Sequence, residues 1–194
     1  MNFLYRFRGG ILGLFAVALW IFPHASEWIP ASSGLLALLG IVLRVEARRV
    51  IGEHTRESEK SAPELVMWGI YAKIRHPIYL SNLCFCYALI LFHLGWQTVS
   101  FAFAMFVTLF VFSLAKAEDS FLEKKFGELF LKWAERTPMF FPSSFSTSKE
   151  EWTCQTGKRS VLKAFAADRW TWVWLIFCTL LLILRRYVEV PFAL

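Results

Sequence analysis

Apolar positions along this chain come in long, nearly unbroken runs, not in the short alternations of a water-facing fold. Runs of that length predict helices that cross a bilayer, since about 20 apolar residues at 1.5 Å each span its hydrocarbon. The first predicted span covers Gly9–Ile29, with Pro23 kinking or ending its regular part. Pro30 to Ser33 reads as a turn in which Ser32 or Ser33 caps the next helix. The second span begins near Gly34. It is wholly apolar over Leu35–Leu43 and then carries Arg44, Glu46, Arg48 and Arg49. The third covers Pro77–Leu94 and the fourth Val99–Ala115, with Lys116 at its exit. A fifth run, Trp170–Leu184, is short for a full crossing; it is either a span starting nearer Val161 or a peripheral helix.

Between these runs the pattern changes period. Glu118–Glu135 places Phe121, Leu122, Phe126, Leu129, Phe130 and Trp133 on one side and charges elsewhere. That is an amphipathic helix for the membrane surface, ended by Thr137-Pro138. Residues 52–64 and 143–160 are polar and read as loops, with His54 a solvated residue of the first. The predicted fold is all-α: a polytopic integral membrane protein of about five transmembrane helices with a cytosolic amphipathic helix. It forms a single membrane domain over 1–194, with a core at 35–142 and a C-terminal loop plus additional membrane helix at 143–194.

Composition agrees. The 194 residues are 57% hydrophobic with 20 Phe and 9 Trp, above what a soluble core of this size holds. The formal charge of +6 fits cytoplasmic loops better than nucleic-acid binding. Arg6 and Arg8 precede span one; Arg56, Lys60, Lys73 and Arg75 lie between spans two and three; the turns on the other side hold no Lys or Arg. By the positive-inside rule the N-terminus, the 65–83 segment and the stretch after residue 118 all face the cytoplasm. Cys84, Cys86 and Cys178 lie in apolar runs, and the Cys spacing makes no metal site, so no metal is expected. His93, alone at a turn, reads as structural.

Two polar patches stand out at predicted helix ends. Pro77 suits the first turn of a helix, which sets Arg75 and His76 at a mouth of unpaired N–H groups that favours an anion. Glu118 and Asp119 end the fourth run. Arg44 and Arg48, four apart on one helix face, either reach lipid phosphates or line a substrate pocket. No Gly-rich phosphate loop or dinucleotide fingerprint is present.

The stretch Gly69-Ile70-Tyr71-x-x-Ile74-Arg75-His76-Pro77-x-Tyr79 resembles the isoprenylcysteine carboxyl methyltransferase family and the related membrane phospholipid methyltransferases. A second block is similar too: Glu118-Asp119-x-x-Leu122-x-x-x-Phe126-Gly127, then Phe130, Trp133 and Arg136-Thr137-Pro138-x-x-Phe141-Pro142. The chain departs from the family pattern at Ser81, where Gly is common, and at Phe130 and Trp133, where Tyr is usual.

The resemblance implies S-adenosyl-L-methionine as cofactor, in a cytosol-facing pocket formed by 65–83 and 116–142. It implies the His76–Pro77 mouth for the donor carboxylate and Glu118 or Asp119 for its ammonium or ribose. Tyr71 and Tyr79 would serve adenine or the cation, with Leu65, Val66 and Gly69 at the adenine side. Arg44 or Arg136 would hold the acceptor's carboxylate or phosphate, and Glu118, Arg136 and Arg75 are the catalytic candidates. The implied activity is methyl transfer to a lipid-anchored acceptor, foremost an isoprenylcysteine-type carboxylate, with an ethanolamine headgroup as the alternative. From other classes, an NADPH-dependent lipid reductase and a non-catalytic membrane protein remain. The implied partners are a lipid or lipid-modified substrate and the bilayer.

Overall fold

The computed structural model describes residues 8–23, 29–51, 64–142 and 159–187. Among them there is no strand. The elements are α1 (Arg8–Ile21), α2 (Ala31–Ile51), a 3-10 turn (Gly69–Ala72), α3 (Pro77–Leu94), α4 (Thr98–Phe126), α5 (Glu128–Arg136), α6 (Val161–Ala167) and α7 (Arg169–Tyr187). Three of them, α3, α4 and α7, are long and apolar enough to cross a membrane. α1 is a shorter apolar helix of 14 residues, and α2 carries four charges in its last two turns. Expected features at His54, at Arg6 and in residues 143–158 lie outside the described residues.

Several boundaries differ from the sequence expectation, each for a local reason. The fourth span does not end at Lys116: α4 continues without a break to Phe126. The break falls at Gly127, whose φ of +54 is left-handed backbone that a side chain disfavours. The amphipathic piece is therefore the nine-residue α5, with Phe130 and Trp133 buried and Leu129 exposed. The last run is not 15 residues, nor does it start at Val161. α6 is separate, capped by the Ser160 hydroxyl accepting from the Lys163 N–H, and α7 then spans 19 residues. Ser32 and Ser33 do not cap α2 from outside; they lie in its first turn, which opens with the Ser33 N–H on the Pro30 carbonyl.

The contacts divide the chain into two units. The first takes residues 1–39, 83–114 and 170–194. Its core includes Phe15, Leu19, Ile90, Leu94, Val107 and Val111, with Phe15 edge-on to Phe103 at 5.7 Å and Phe85 edge-on to Trp172 at 6.1 Å. The orphan carbonyls at helix ends find donors here. Arg185 Nε donates to the Trp20 carbonyl at 3.1 Å, Arg186 to the Phe92 carbonyl at 2.7 Å and His93 Nε2 to the Phe22 carbonyl at 2.9 Å. Outward faces of α4 and α7 carry Phe101, Met105, Leu109, Trp174, Ile176 and Leu180, the apolar exposure that a bilayer covers.

The second unit takes residues 40–82 and 115–169. Its core is Ala47, Val50, Leu65, Trp68, Tyr71, Phe130 and Trp133. Trp133 Nε1 donates to the Tyr71 carbonyl at 3.2 Å, pinning α5 to the 3-10 turn. Gly69 sits at φ +62, and a Cβ there would meet Val50 Cγ2 at 2.7 Å, so only glycine lets the turn lie on α2. Ser81, fully buried, donates to the Gly40 carbonyl at 2.8 Å and so fixes α3 to α2.

Candidate functional site

The chemistry-bearing residues gather in the second unit. Residues 64–76 reach α3 through the 3-10 turn and a short extended piece, and Pro77 starts the helix with less than 2% of its surface exposed. The Arg75 N–H donates to the Pro138 carbonyl at 3.0 Å, and the His76 N–H to the Met139 carbonyl at 3.2 Å. The returning 138–139 segment thus takes the N–H groups of the two residues just before the helix. The two sequence blocks meet through that backbone pairing and through side chains. His76 Nε2 donates to Asp119 Oδ1 at 2.8 Å, and an Arg75 terminal nitrogen lies 3.4 Å from Asp119 Oδ2. His76, only 4% exposed, is flanked by Tyr79 at 5.5 Å edge-on and Phe140 at 6.4 Å.

Glu118 takes no part in those pairs. Adjacent residues on a helix point about 100° apart, and Glu118 acts instead on the Tyr71 hydroxyl. Burial pushes that hydroxyl well above the ordinary phenol range, and the Glu118 charge pushes the same way. Arg48 and Arg44 oppose the shift, and Asp168 adds to it. A second polar group lies within electrostatic reach of Tyr71. In it Arg44 Nε and Arg48 Nε both donate to Asp168 Oδ2 at 2.8 Å, and Arg44 Nη1 donates to Asn82 Oδ1 at 2.7 Å. Burial alone would raise the Asp168 carboxyl. The Arg48 hydrogen bond and both guanidinium charges outweigh it and hold the group below the usual carboxylate range.

The remaining expected residues are scattered. Leu65 is buried in the apolar core and Val66 packs beside it. Gly69 is a packing glycine against Val50. Arg136 is exposed at the end of α5. Arg44 was expected either at lipid phosphates or in a pocket; it is buried against Asp168 and Asn82.

Sequence reasoning missed Asp168 and Asn82 as members of the polar groups. Asp168 carried a faint signal, an acid directly before an apolar run. Among the described residues of the second unit, two buried side-chain donors lack a protein acceptor, Trp68 Nε1 and Arg75 Nε. Unmatched donors of this kind suit a ligand rich in acceptor atoms. S-adenosylmethionine, with its carboxylate, ribose and adenine nitrogens, fits that requirement. Among the described residues no group of three or more His, Cys, Asp or Glu could hold a metal ion.

A family model described as phospholipid methyltransferase matches residues 28–129. The cobalt-zinc-cadmium resistance protein CzcN of Cupriavidus metallidurans is 32% identical over 163 residues, 78% of this chain and 72% of the relative. The nickel-cobalt-cadmium resistance protein NccN of Alcaligenes xylosoxydans xylosoxydans is 31% identical over 153 residues, 73% of this chain and 67% of the relative. No solved structure matches.

Proposed function

The chain belongs to the phospholipid methyltransferase family, and on that premise we propose that it transfers a methyl group from S-adenosylmethionine to a lipid-anchored acceptor at the membrane's cytoplasmic side. The observation that carries this reading is the His76–Asp119–Arg75 group, 2.8 and 3.4 Å across, where the two sequence blocks meet. When bound, S-adenosylmethionine supplies an electrophilic sulfonium methyl.

The chain's own residues bind and orient. Asp119 already faces two cationic or donor side chains, so it fixes His76 and Arg75 in place. Arg75 Nε and Trp68 Nε1 are the donors left for carboxylate, ribose or adenine atoms. Glu118, half-buried and outside the Asp119 pairs, suits the donor's ammonium. Tyr79 and Phe140 beside His76 give ring faces that exclude water. Arg44, or Arg136 at the surface, serves the acceptor.

With a carboxylate acceptor of isoprenylcysteine type, the nucleophile is ionised at neutral pH and needs no base. Positioning then supplies most of the rate. The family's description, phospholipid methyltransferase, supports a second acceptor, an ethanolamine headgroup, whose amine must lose a proton; Glu118 is then our candidate base, in place of a pairing with the donor's ammonium.

The test is calorimetric titration of the purified protein with S-adenosylmethionine, followed by a radiolabelled methyl assay. Donor binding in the wild type, lost in His76→Ala and Glu118→Ala, supports the reading. Unchanged affinity in both variants overturns the donor site. Label on a prenylated cysteine or on phosphatidylethanolamine vesicles separates the two acceptors. The relatives' names concern metal resistance, and we carry over one expectation: deletion of the gene sensitises cells to divalent metal salts.

A further inference from the structure

The first unit holds a cavity that its own side chains leave unfilled. It measures about 150 Å³ and is lined on α1 from Leu12 to Trp20, on α3 from Phe85 to Leu89 and on α7 from Thr171 to Leu182. The lined stretch of α7 covers about 16 Å of helix axis at 1.5 Å per residue. No charged side chain lines the cavity; its wall is aliphatic, aromatic and thiol apart from the Thr171 hydroxyl and the Trp20 indole. Just past Leu182, Arg185 and Arg186 reach the Trp20 and Phe92 carbonyls, and neither guanidinium belongs to the lining.

Protein interiors pack to crystal density and leave few voids of this size. An apolar cavity of such volume stays dry and takes up a hydrocarbon of about six carbons. Trp20 adds a second unmet requirement. Its indole N–H is buried and has no acceptor among the described residues. A buried indole N–H ordinarily finds one, and bilayer hydrocarbon holds no water to supply it.

We propose that the cavity is a binding site for one straight acyl chain of a membrane lipid, whose ester carbonyl accepts from Trp20 Nε1. The uncharged wall excludes a charged group. A small volume drawn out along α7 admits an unbranched chain and disfavours a branched one. Trp20 stands next to the last residue of α1, and tryptophan gathers where lipid chains meet their polar heads. Trp174 lines the cavity and is itself 59% exposed, so the wall continues onto the outer apolar face of α7, from which a chain enters. A lipid held there fills space between three helices and stabilises the folded state by mass action. Its binding does not depend on methyl transfer.

The experiment alkylates the full chain with N-ethylmaleimide in a steroid-based detergent, which brings no alkyl tail, and follows each cysteine by peptide mass spectrometry. Cys86 and Cys178 line the cavity; Cys84, buried and outside the lining, is the internal reference. In the wild type methyl palmitate is expected to slow Cys86 and Cys178 several-fold and to leave Cys84 unchanged. Hexadecane, the chain without an acceptor, is expected to need about three- to tenfold higher concentration for the same protection, the worth of one hydrogen bond. Farnesyl acetate, a branched ester, is expected to protect less than methyl palmitate. Trp20→Phe should bring methyl palmitate down to the level of hexadecane. Ala16→Phe places a ring in the cavity and should abolish protection by both. Absent protection in the wild type, or equal slowing of all three cysteines, overturns the proposal. So do methyl palmitate no better than hexadecane, farnesyl acetate better than either, and protection that survives Ala16→Phe. Should a variant fail to fold, the wild-type series decides by itself.

Discussion

In the first unit Arg185, Arg186 and His93 each donate to a backbone carbonyl; in the second Arg44, Arg48, Arg75 and His76 reach side-chain carboxylates and an amide. The residue types are the same, but the partners differ in kind. A helix-end carbonyl is an acceptor that the backbone must satisfy anyway, so a cation there closes a helix and has little left to do. A carboxylate adds a charge that must itself be matched, so each pair in the second unit raises the cost of being buried. Free energy is put there without a gain in packing, which is the usual mark of a working site. The apolar space shows the same contrast. In the first unit a cavity of about 150 Å³ is lined by Leu12, Phe15, Leu19, Phe85, Leu175 and Leu182 among others, nearly all apolar. In the second, Tyr71 sits in the apolar core, but its hydroxyl feels the charges of Glu118, Arg48, Arg44 and Asp168.

The contrast can be broken or sharpened by substitution. The largest effect is expected from Asp119→Ala, which strips His76 and Arg75 of a shared carboxylate. Donor affinity should fall about 100-fold, roughly 3 kcal/mol, with the helical content by circular dichroism retained. A wild-type affinity would show that the pair is only structural. Gly69→Ala comes next. It forces a left-handed backbone and a 2.7 Å contact with Val50, so a loss of about 2–3 kcal/mol in unfolding free energy is expected, with donor binding reduced only through the fold. Arg186→Met leaves the Phe92 carbonyl without its donor and removes the guanidinium 4.9 Å from the Phe92 ring. It should cost about 1–3 kcal/mol in stability and leave S-adenosylmethionine affinity unchanged, which separates the two units by measurement.

The smallest effect is in pH. The Asp168 carboxyl is held below its ordinary value, so its contribution is complete above the unfolded value of about 4 and drains as pH falls through the lower folded value. The thermal midpoint should therefore be flat from pH 8 to 5 on account of this group and decline only below about pH 4. Asp168→Asn should flatten that acid limb.

Much of this was written in the chain. The apolar runs gave helices because a bilayer-length stretch without polar backbone partners has few other solutions. Positions of α3 and of the 75–79 and 118–119 patches followed from Pro77 and from the abrupt return of charge at Lys116. The end of α4 did not follow: charges at Lys116, Glu118 and Asp119 look like an exit, yet helix propensity carries the backbone on until Gly127 removes the steric reason to continue. Nor could spacing reveal that the Arg75 and His76 N–H groups already have acceptors, since these come from residues 138–139.

By itself the sequence determined the helical class, the apolar character and the two polar blocks, because these depend on composition and on neighbours within a few residues. Only the tertiary structure decided which carboxylate meets which cation. Arg44 and Asp168 are 124 residues apart, and no local periodicity encodes a partner at that range. Their pairing is set by where α6 stops and how residues 159–169 fold back on α2, which is a matter of packing, not of pattern.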